Sequence, residues 1–186
     1  MLDKFFSVPI WNEHLWFDYD SVVKKCYEIK SKSAGRNLTN IGGWQSNDID
    51  LSKFTECYSL IEDSLRSVCE DIHPDMFLKI DNAWININKG LNYNSPHEHP
   101  LSAISGVLYL KCNKNSGNIK FESSSLMRHY PLNSYGSKLF QTYIEYQPKV
   151  GDLILFPSWL THSVLPSLDN EDRISIAFNT SQNDTP

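Results

Sequence analysis

His97 and His99 are separated by a single residue in Asn94-Ser95-Pro96-His97-Glu98-His99-Pro100. Side chains alternate faces along an extended strand, so the two imidazoles should project together and can share one metal ion, while Glu98 turns to the other side. The triplet therefore does not read as three adjacent ligands. Pro96 and Pro100 bracket the pair. Proline cannot donate to a ladder, which suits a strand end or edge where a metal stays reachable. Taken alone, the pair is equally compatible with a polar loop carrying two surface histidines.

The C-terminal half supplies what the pair lacks. In Phe156-Pro157-Ser158-Trp159-Leu160-Thr161-His162 the chain leaves an apolar run at Pro157 and then presents His162, which can meet His97 and His99. Arg173 opens another apolar run, Arg173-Ile174-Ser175-Ile176-Ala177-Phe178. Arginine is almost never fully buried unless paired, so one at the head of a core strand predicts an anionic partner. A local ion pair with Asp169, Glu171 or Asp172 satisfies the same requirement.

These residues need a strand scaffold, and the pattern provides one. Ala83-Asn88 alternates apolar and polar positions, and Ser105-Lys111, Gly117-Glu122, Leu139-Tyr146, Asp152-Phe156 and Arg173-Phe178 read as further strands separated by turn signals. That many strands in the C-terminal part imply a double-sheet jelly roll. Before them, apolar residues recur at helical spacing over Asp18-Ile29 and over Leu51-Ile72, where Phe54, Cys57, Tyr58, Ile61, Leu65, Val68, Cys69 and Ile72 form one stripe. The intervening glycine-rich stretch reads as a loop, with Trp44 and Gln45 exposed or lining a cleft. The expected organisation is a single domain, 1–186, with a helix-rich part (1–76) supporting a jelly-roll core (77–180).

Composition narrows the function class. A chain of 186 residues, 40% hydrophobic and 21% charged, is globular and large enough for one core without disulfides. A net charge of -5 without lysine or arginine runs argues against nucleic acid and membrane surfaces as partners. No apolar stretch approaches the roughly 20 residues of a spanning helix, and the first residues lack a signal-peptide core, so a cytoplasmic location is expected. Cys26, Cys57, Cys69 and Cys112 form no Cys-x-x-Cys pair and read as reduced, packed or surface thiols. A homodimer is the default expectation for assembly.

Together, His97-x-His99, Ser105-Gly106-Val107-Leu108-Tyr109-Leu110, Gly151-Asp152-Leu153-Ile154-Leu155-Phe156-Pro157-Ser158-x-x-x-His162 and Arg173-Ile174-Ser175 with Asn179 resemble the 2-oxoglutarate- and Fe(II)-dependent oxygenases. The resemblance is closest to a family of short bacterial and phage proteins within that superfamily. It extends to Gly43-Trp44-Gln45-Ser46 and Trp84-x-Asn86, and so covers most of the chain. It implies a double-stranded β-helix, a mainly β jelly roll with N-terminal helices on one sheet.

The resemblance also implies roles. Three protein ligands on one face of Fe(II) leave positions for co-substrate and O2, and His97, His99 and His162 would supply that face. Arg173 would meet the distal carboxylate of 2-oxoglutarate through its fork of donors. Ser175, two residues along the same strand, and Tyr109 would add hydroxyls, and Asn94 would stand behind the ligands. The wider superfamily usually has His-x-Asp or His-x-Glu, whereas here His99 fills that position. An imidazole there leaves the metal charge less compensated, and Asp81, Glu122 or Asp152 is an alternative carboxylate. His14, His73 and His129 have no partner at ligand spacing.

The implied activity is an Fe(II)- and 2-oxoglutarate-dependent dioxygenase that hydroxylates a small molecule or a protein side chain. Two other readings compete. A cupin-type metalloenzyme without 2-oxoglutarate also uses His-x-His and a distal histidine, but usually adds a glutamate where this chain has Leu101-Ser102-Ala103-Ile104. A non-catalytic jelly-roll binding module would have kept the fold alone. Trp44, Trp84 and Trp159 are candidates for a substrate cleft, and substrate choice is expected to rest on loops 36–48 and 122–138.

Overall fold

The computed structural model describes residues 7–123 and 141–183. In chain order these form β1 (Trp11–His14), α1 (Tyr19–Ser31), β2 (Asn40–Ile41), β3 (Trp44–Gln45), a 3-10 turn (Leu51–Lys53), α2 (Thr55–Ile72), β4 (Phe77–Asn88), β5 (Tyr93–His97), β6 (Ile104–Lys111), β7 (Ile119–Glu122), β8 (Tyr143–Tyr146), β9 (Asp152–Pro157), β10 (His162–Val164) and β11 (Arg173–Asn183). Six strands pair in the order β1-β9-β6-β11-β4-β3, and five in the order β2-β5-β10-β7-β8. Neighbouring strands are antiparallel throughout both sheets. This is the expected jelly roll, a mainly β fold with its helices on one side.

The alternation along β4 and β11 assigns the faces of the larger sheet. Ala83, Ile85 and Ile87 of β4, with Ile174 and Ile176 of β11 and Leu108 and Leu110 of β6, pack with Val22 and Cys26 of α1 and Cys57, Ile61, Leu65 and Val68 of α2. Burying each large aliphatic side chain contributes about 1.5–3 kcal/mol, so this layer carries much of the stability. The intervening residues Trp84, Asn86, Ser175, Ala177, Val107 and Tyr109 face the other way, into the space between the sheets. A second, smaller cluster of Val107, Tyr109, Ile119, Phe121, Ile154, Phe156 and Leu160 closes the far end of that space.

The helices begin where capping chemistry allows. Asp18 accepts from the Ser21 backbone N–H at 3.1 Å to start α1. The single helix expected over Leu51–Ile72 is a 3-10 turn followed by α2, because Phe54 leaves helical geometry between them. Other departures are short pairings. The stretch expected as a loop carries β2 and β3, and β1 pairs with β9 at the sheet edge. Of the strand expected over Leu139-Tyr146, Tyr143–Tyr146 forms β8. Leu139, Phe140, His129 and most of loop 122–138 lie outside the described residues. All four cysteines are free, and burial pushes the Cys26 and Cys57 thiols up to about 12.

Candidate functional site

His97 ends β5, His162 opens β10, and the two face each other directly in the ladder between those strands. His99 is not on the strand, contrary to the expectation that both histidines share it. Its backbone N–H donates to the Ser158 carbonyl (2.9 Å), a loop contact made in place of a ladder bond. The turn still brings its ring back: ring centroids lie 5.0 Å apart for His97 and His99, 4.3 Å for His97 and His162, and 5.1 Å for His99 and His162. One ligand nitrogen from each falls within 4.8 Å of the others. Glu98 stays out of this group and accepts from the Thr161 hydroxyl.

Hydrogen bonds orient two of the rings. His97 Nδ1 meets the Ser95 carbonyl at 2.7 Å and His162 Nδ1 meets the Leu160 carbonyl at 2.9 Å. A carbonyl can only accept, so each Nδ1 carries the proton and each Nε2 keeps a free lone pair, the usual arrangement behind a metal-binding imidazole. Burial lowers the pKa of His97, takes His99 down to about 4 and His162 to about 3, and the neighbouring imidazoles add to the shift at His99 and His162. All three rings are therefore neutral at pH 7, the form that binds metal. The alternative carboxylates are engaged elsewhere: Asp81 with Ser181, Glu122 with Lys120, and Asp152 with His14. Three imidazoles, without a carboxylate, make up the group that could hold a metal ion among the described residues.

Arg173 is 3% exposed at the head of β11. None of its acidic neighbours pairs with it. Asp172 accepts from Tyr27, Glu171 from Asn113, and Asp169 from the Glu171 backbone. Its Nη1 instead donates to the carbonyls of Ser116 (2.5 Å) and Gly117 (3.4 Å). Gly117 turns there at φ +76, a left-handed conformation that a side chain would strain. With its amide oxygen toward the guanidinium, Asn88 accepts from Nη2 at 2.7 Å and, with the Asn94 amide turned to present its nitrogen, from Asn94 at 2.9 Å. Neutral carbonyls leave the cation uncompensated, and burial works against its charge. Beside it, Tyr109 is 1% exposed and its hydroxyl has no hydrogen-bond partner among the described residues. Burial raises the Tyr109 pKa, so this hydroxyl is neutral and able to donate.

The three histidines, Arg173, Tyr109, Ser175 and Asn94 all line one cavity of about 350 Å³ between the sheets. Trp84 is the one of the three suggested cleft tryptophans that lines it, with its ring 5.6 Å from that of His99. Trp44 packs against the helical core and donates to Ser33, and Trp159 is half-exposed. Arg36, Gln45 and Asn86 also line the cavity. Arg36 had no signal as a lone loop residue, whereas Asn86 sits at the alternate position that shares a face with Trp84.

A jelly roll with three convergent neutral imidazoles and a buried, acid-free arginine in one cavity defines a non-haem metalloenzyme that accepts an anionic co-substrate. The family model described as "Putative 2OG-Fe(II) oxygenase" matches residues 82–179, and the chain belongs to that family. Fe(II) and 2-oxoglutarate, with O2, are accordingly its cofactor and co-substrates. Solved structures share the fold. A prolyl-4-hydroxylase from Pseudomonas putida superposes with a TM-score of 0.66 at 14% identity, covering 95% of each chain. HygX from Streptomyces hygroscopicus, solved with nickel and 2-oxoglutarate bound, gives 0.63 at 14% identity over 94% of this chain and 83% of its own. The α-ketoglutarate-dependent epimerase SnoN from nogalamycin biosynthesis gives 0.69 at 10% identity over 93% and 77%. No curated protein matches the sequence at a level that marks kinship. Among the described residues no helix is long and apolar enough to cross a membrane.

Proposed function

We propose that His97, His99 and His162 hold Fe(II), that Arg173, Tyr109, Ser175 and Asn94 seat 2-oxoglutarate, and that the protein hydroxylates a C–H bond of a small molecule or a protein side chain. The observation that carries this reading is Arg173: a guanidinium buried without a carboxylate calls for one from a ligand. Its fork can bind a carboxylate bidentately, and the unpaired Tyr109 hydroxyl beside it can donate to the same group. Ser175 and Tyr109 stand opposite each other in the β11–β6 ladder, so their side chains meet the same ligand from adjacent strands. Asn94 acts through Asn88 and fixes the amide that faces Arg173. When bound, the metal couples oxidative decarboxylation of 2-oxoglutarate to oxygenation of the substrate. The protein's part is to hold both partners in one cavity, with Phe156 and Val107 among its apolar lining.

With His99 in the place of a carboxylate, the protein brings no negative charge to the metal, and the dianionic co-substrate becomes the compensating charge. A cupin-type centre without 2-oxoglutarate would leave the Arg173 charge uncompensated and the Tyr109 hydroxyl unpaired. Residues 1–186 act as one catalytic unit in this reading, since the core beneath the site is built from both helices and the larger sheet. The test is anaerobic addition of Fe(II) and 2-oxoglutarate to the purified protein. A weak visible charge-transfer band is expected, followed by conversion of 2-oxoglutarate to succinate on admission of air. Absence of both would refute the assignment.

A further inference from the structure

The cavity has a second polar end that the co-substrate residues do not account for. Following the ladders outward from Tyr109, each residue stands directly opposite the next: Tyr109 and Ser175, Ser175 and Asn86, Asn86 and Gln45, Gln45 and Arg36. All five line the cavity. Strands lie about 4.8 Å apart, so the row runs roughly 19 Å, far longer than one small dicarboxylate. Buried side-chain atoms without a hydrogen-bond partner among the described residues are Tyr109 Oη, Asn86 Oδ1 and Arg36 Nε. They fall at the two ends and in the middle of this one row. Gln45, 3% exposed, lies between Asn86 and Arg36 in the row and lines the cavity. Unpaired buried polar groups cost free energy and are retained where something else completes them.

The charge at this end selects the chemistry of what completes it. Arg36 Nη2 donates to Asp48 at 2.6 Å, so the guanidinium is already compensated and the group as a whole is neutral. A carboxylate or phosphate would face Asp48 as well as Arg36, and a cation would face Arg36. The remaining groups are an Arg36 N–H donor and two carboxamides, each with a donor and an acceptor. Their complement is an uncharged group with a donor and an acceptor side by side, which is an amide.

We infer that Arg36, Gln45 and Asn86 form a substrate subsite that recognises an amide, either of a peptide or of a small molecule, and so aligns the substrate along the row toward the histidines. This rests on the functional reading above for its orientation but not for its binding chemistry. Gln45 and Asn86 are specificity-determining residues that touch the substrate away from the reacting atom.

The test uses ligand-observed NMR on the full chain loaded with redox-inert Zn(II), with and without 2-oxoglutarate. The probes are N-acetylalanine methylamide, 2-pyrrolidone, acetate and methylammonium. Both amides should bind in preference to methylammonium throughout, and in preference to acetate once 2-oxoglutarate occupies Arg173; the stronger of them tells a peptide source from a small cyclic one. Gln45→Met and Asn86→Ala should each weaken amide binding about fivefold, the loss of a single hydrogen bond, while 2-oxoglutarate affinity stays within about threefold of wild type. Equal binding of amides and ions under those conditions, or amide binding unaffected in folded Gln45→Met and Asn86→Ala, overturns the inference. Because amide preference over methylammonium is also read without 2-oxoglutarate, a failure of co-substrate binding counts against the functional reading and leaves this result standing by itself.

Discussion

Ile176 and Ser175 are neighbours on β11, and they belong to different worlds. Ile176 is fully buried against the helices, in a layer built almost wholly of apolar residues packed on one another. Ser175 faces the cavity, in a row where Tyr109 Oη, Asn86 Oδ1 and Arg36 Nε have no hydrogen-bond partner among the described residues. One sheet thus separates stability from chemistry by the period-two alternation of its strands. The helix-facing side is satisfied by the protein itself, whereas the cavity side is left incomplete in a way that ligands can complete.

The comparison can be broken most forcefully on the apolar side. Ile176→Ala should cost about 2–5 kcal/mol of unfolding free energy by denaturant titration, with cofactor affinity of the folded molecules unchanged. If that variant were as stable as wild type, the helical layer would not be the stabilising one. His162→Ala removes one of three ligands and should weaken metal binding by more than about 100-fold, beyond what loss of an outer partner costs, at little cost in stability. Ser175→Ala should leave stability within about 0.5 kcal/mol, because no internal hydrogen bond is lost, and should weaken 2-oxoglutarate about fivefold. A Ser175→Ala protein that unfolds early would show that the cavity face is structural after all.

The same burial also makes stability depend on pH. Burial depresses all three histidine pKa values, to about 4 for His99 and about 3 for His162, while unfolded imidazoles titrate near 6.5. Below about pH 6.5 the unfolded chain therefore binds more protons than the folded one, and stability must fall as pH falls. Denaturation of the metal-free protein at pH 7.5 and 5.5 should give lower stability at the acid value, with a shallower loss in His162→Ala. No such difference between wild type and variant would contradict neutral, buried imidazoles.

Much of this division is visible in the residues before any coordinates. β4, β6, β9 and β11 announce themselves because alternation or an apolar run extends over several residues, and His97, His162 and Arg173 stand out because each violates that pattern. The elements that escape are β1, β2, β3 and β10, only two to four residues long, which exist through their partners rather than through their own propensity. The acid-free state of Arg173 escapes too, because Asp169, Glu171 and Asp172 are close in sequence yet turn to other partners. The row from Arg36 to Tyr109 escapes for the same reason, since it spans residues 36 to 175 and is made by register alone. Local patterns reveal faces, and tertiary pairing decides which residues share one.

In the proposed arrangement metal and co-substrate are held by separable groups of one cavity, the histidines around β5 and β10 for the one and Arg173, Ser175 and Tyr109 of the larger sheet, backed by Asn94, for the other. Calorimetric titration of 2-oxoglutarate into metal-loaded wild type and Arg173→Met tests it directly. Arg173→Met should bind metal as wild type does and lose 2-oxoglutarate binding. Unchanged 2-oxoglutarate affinity in Arg173→Met, or loss of metal together with co-substrate in a folded protein, would contradict the account.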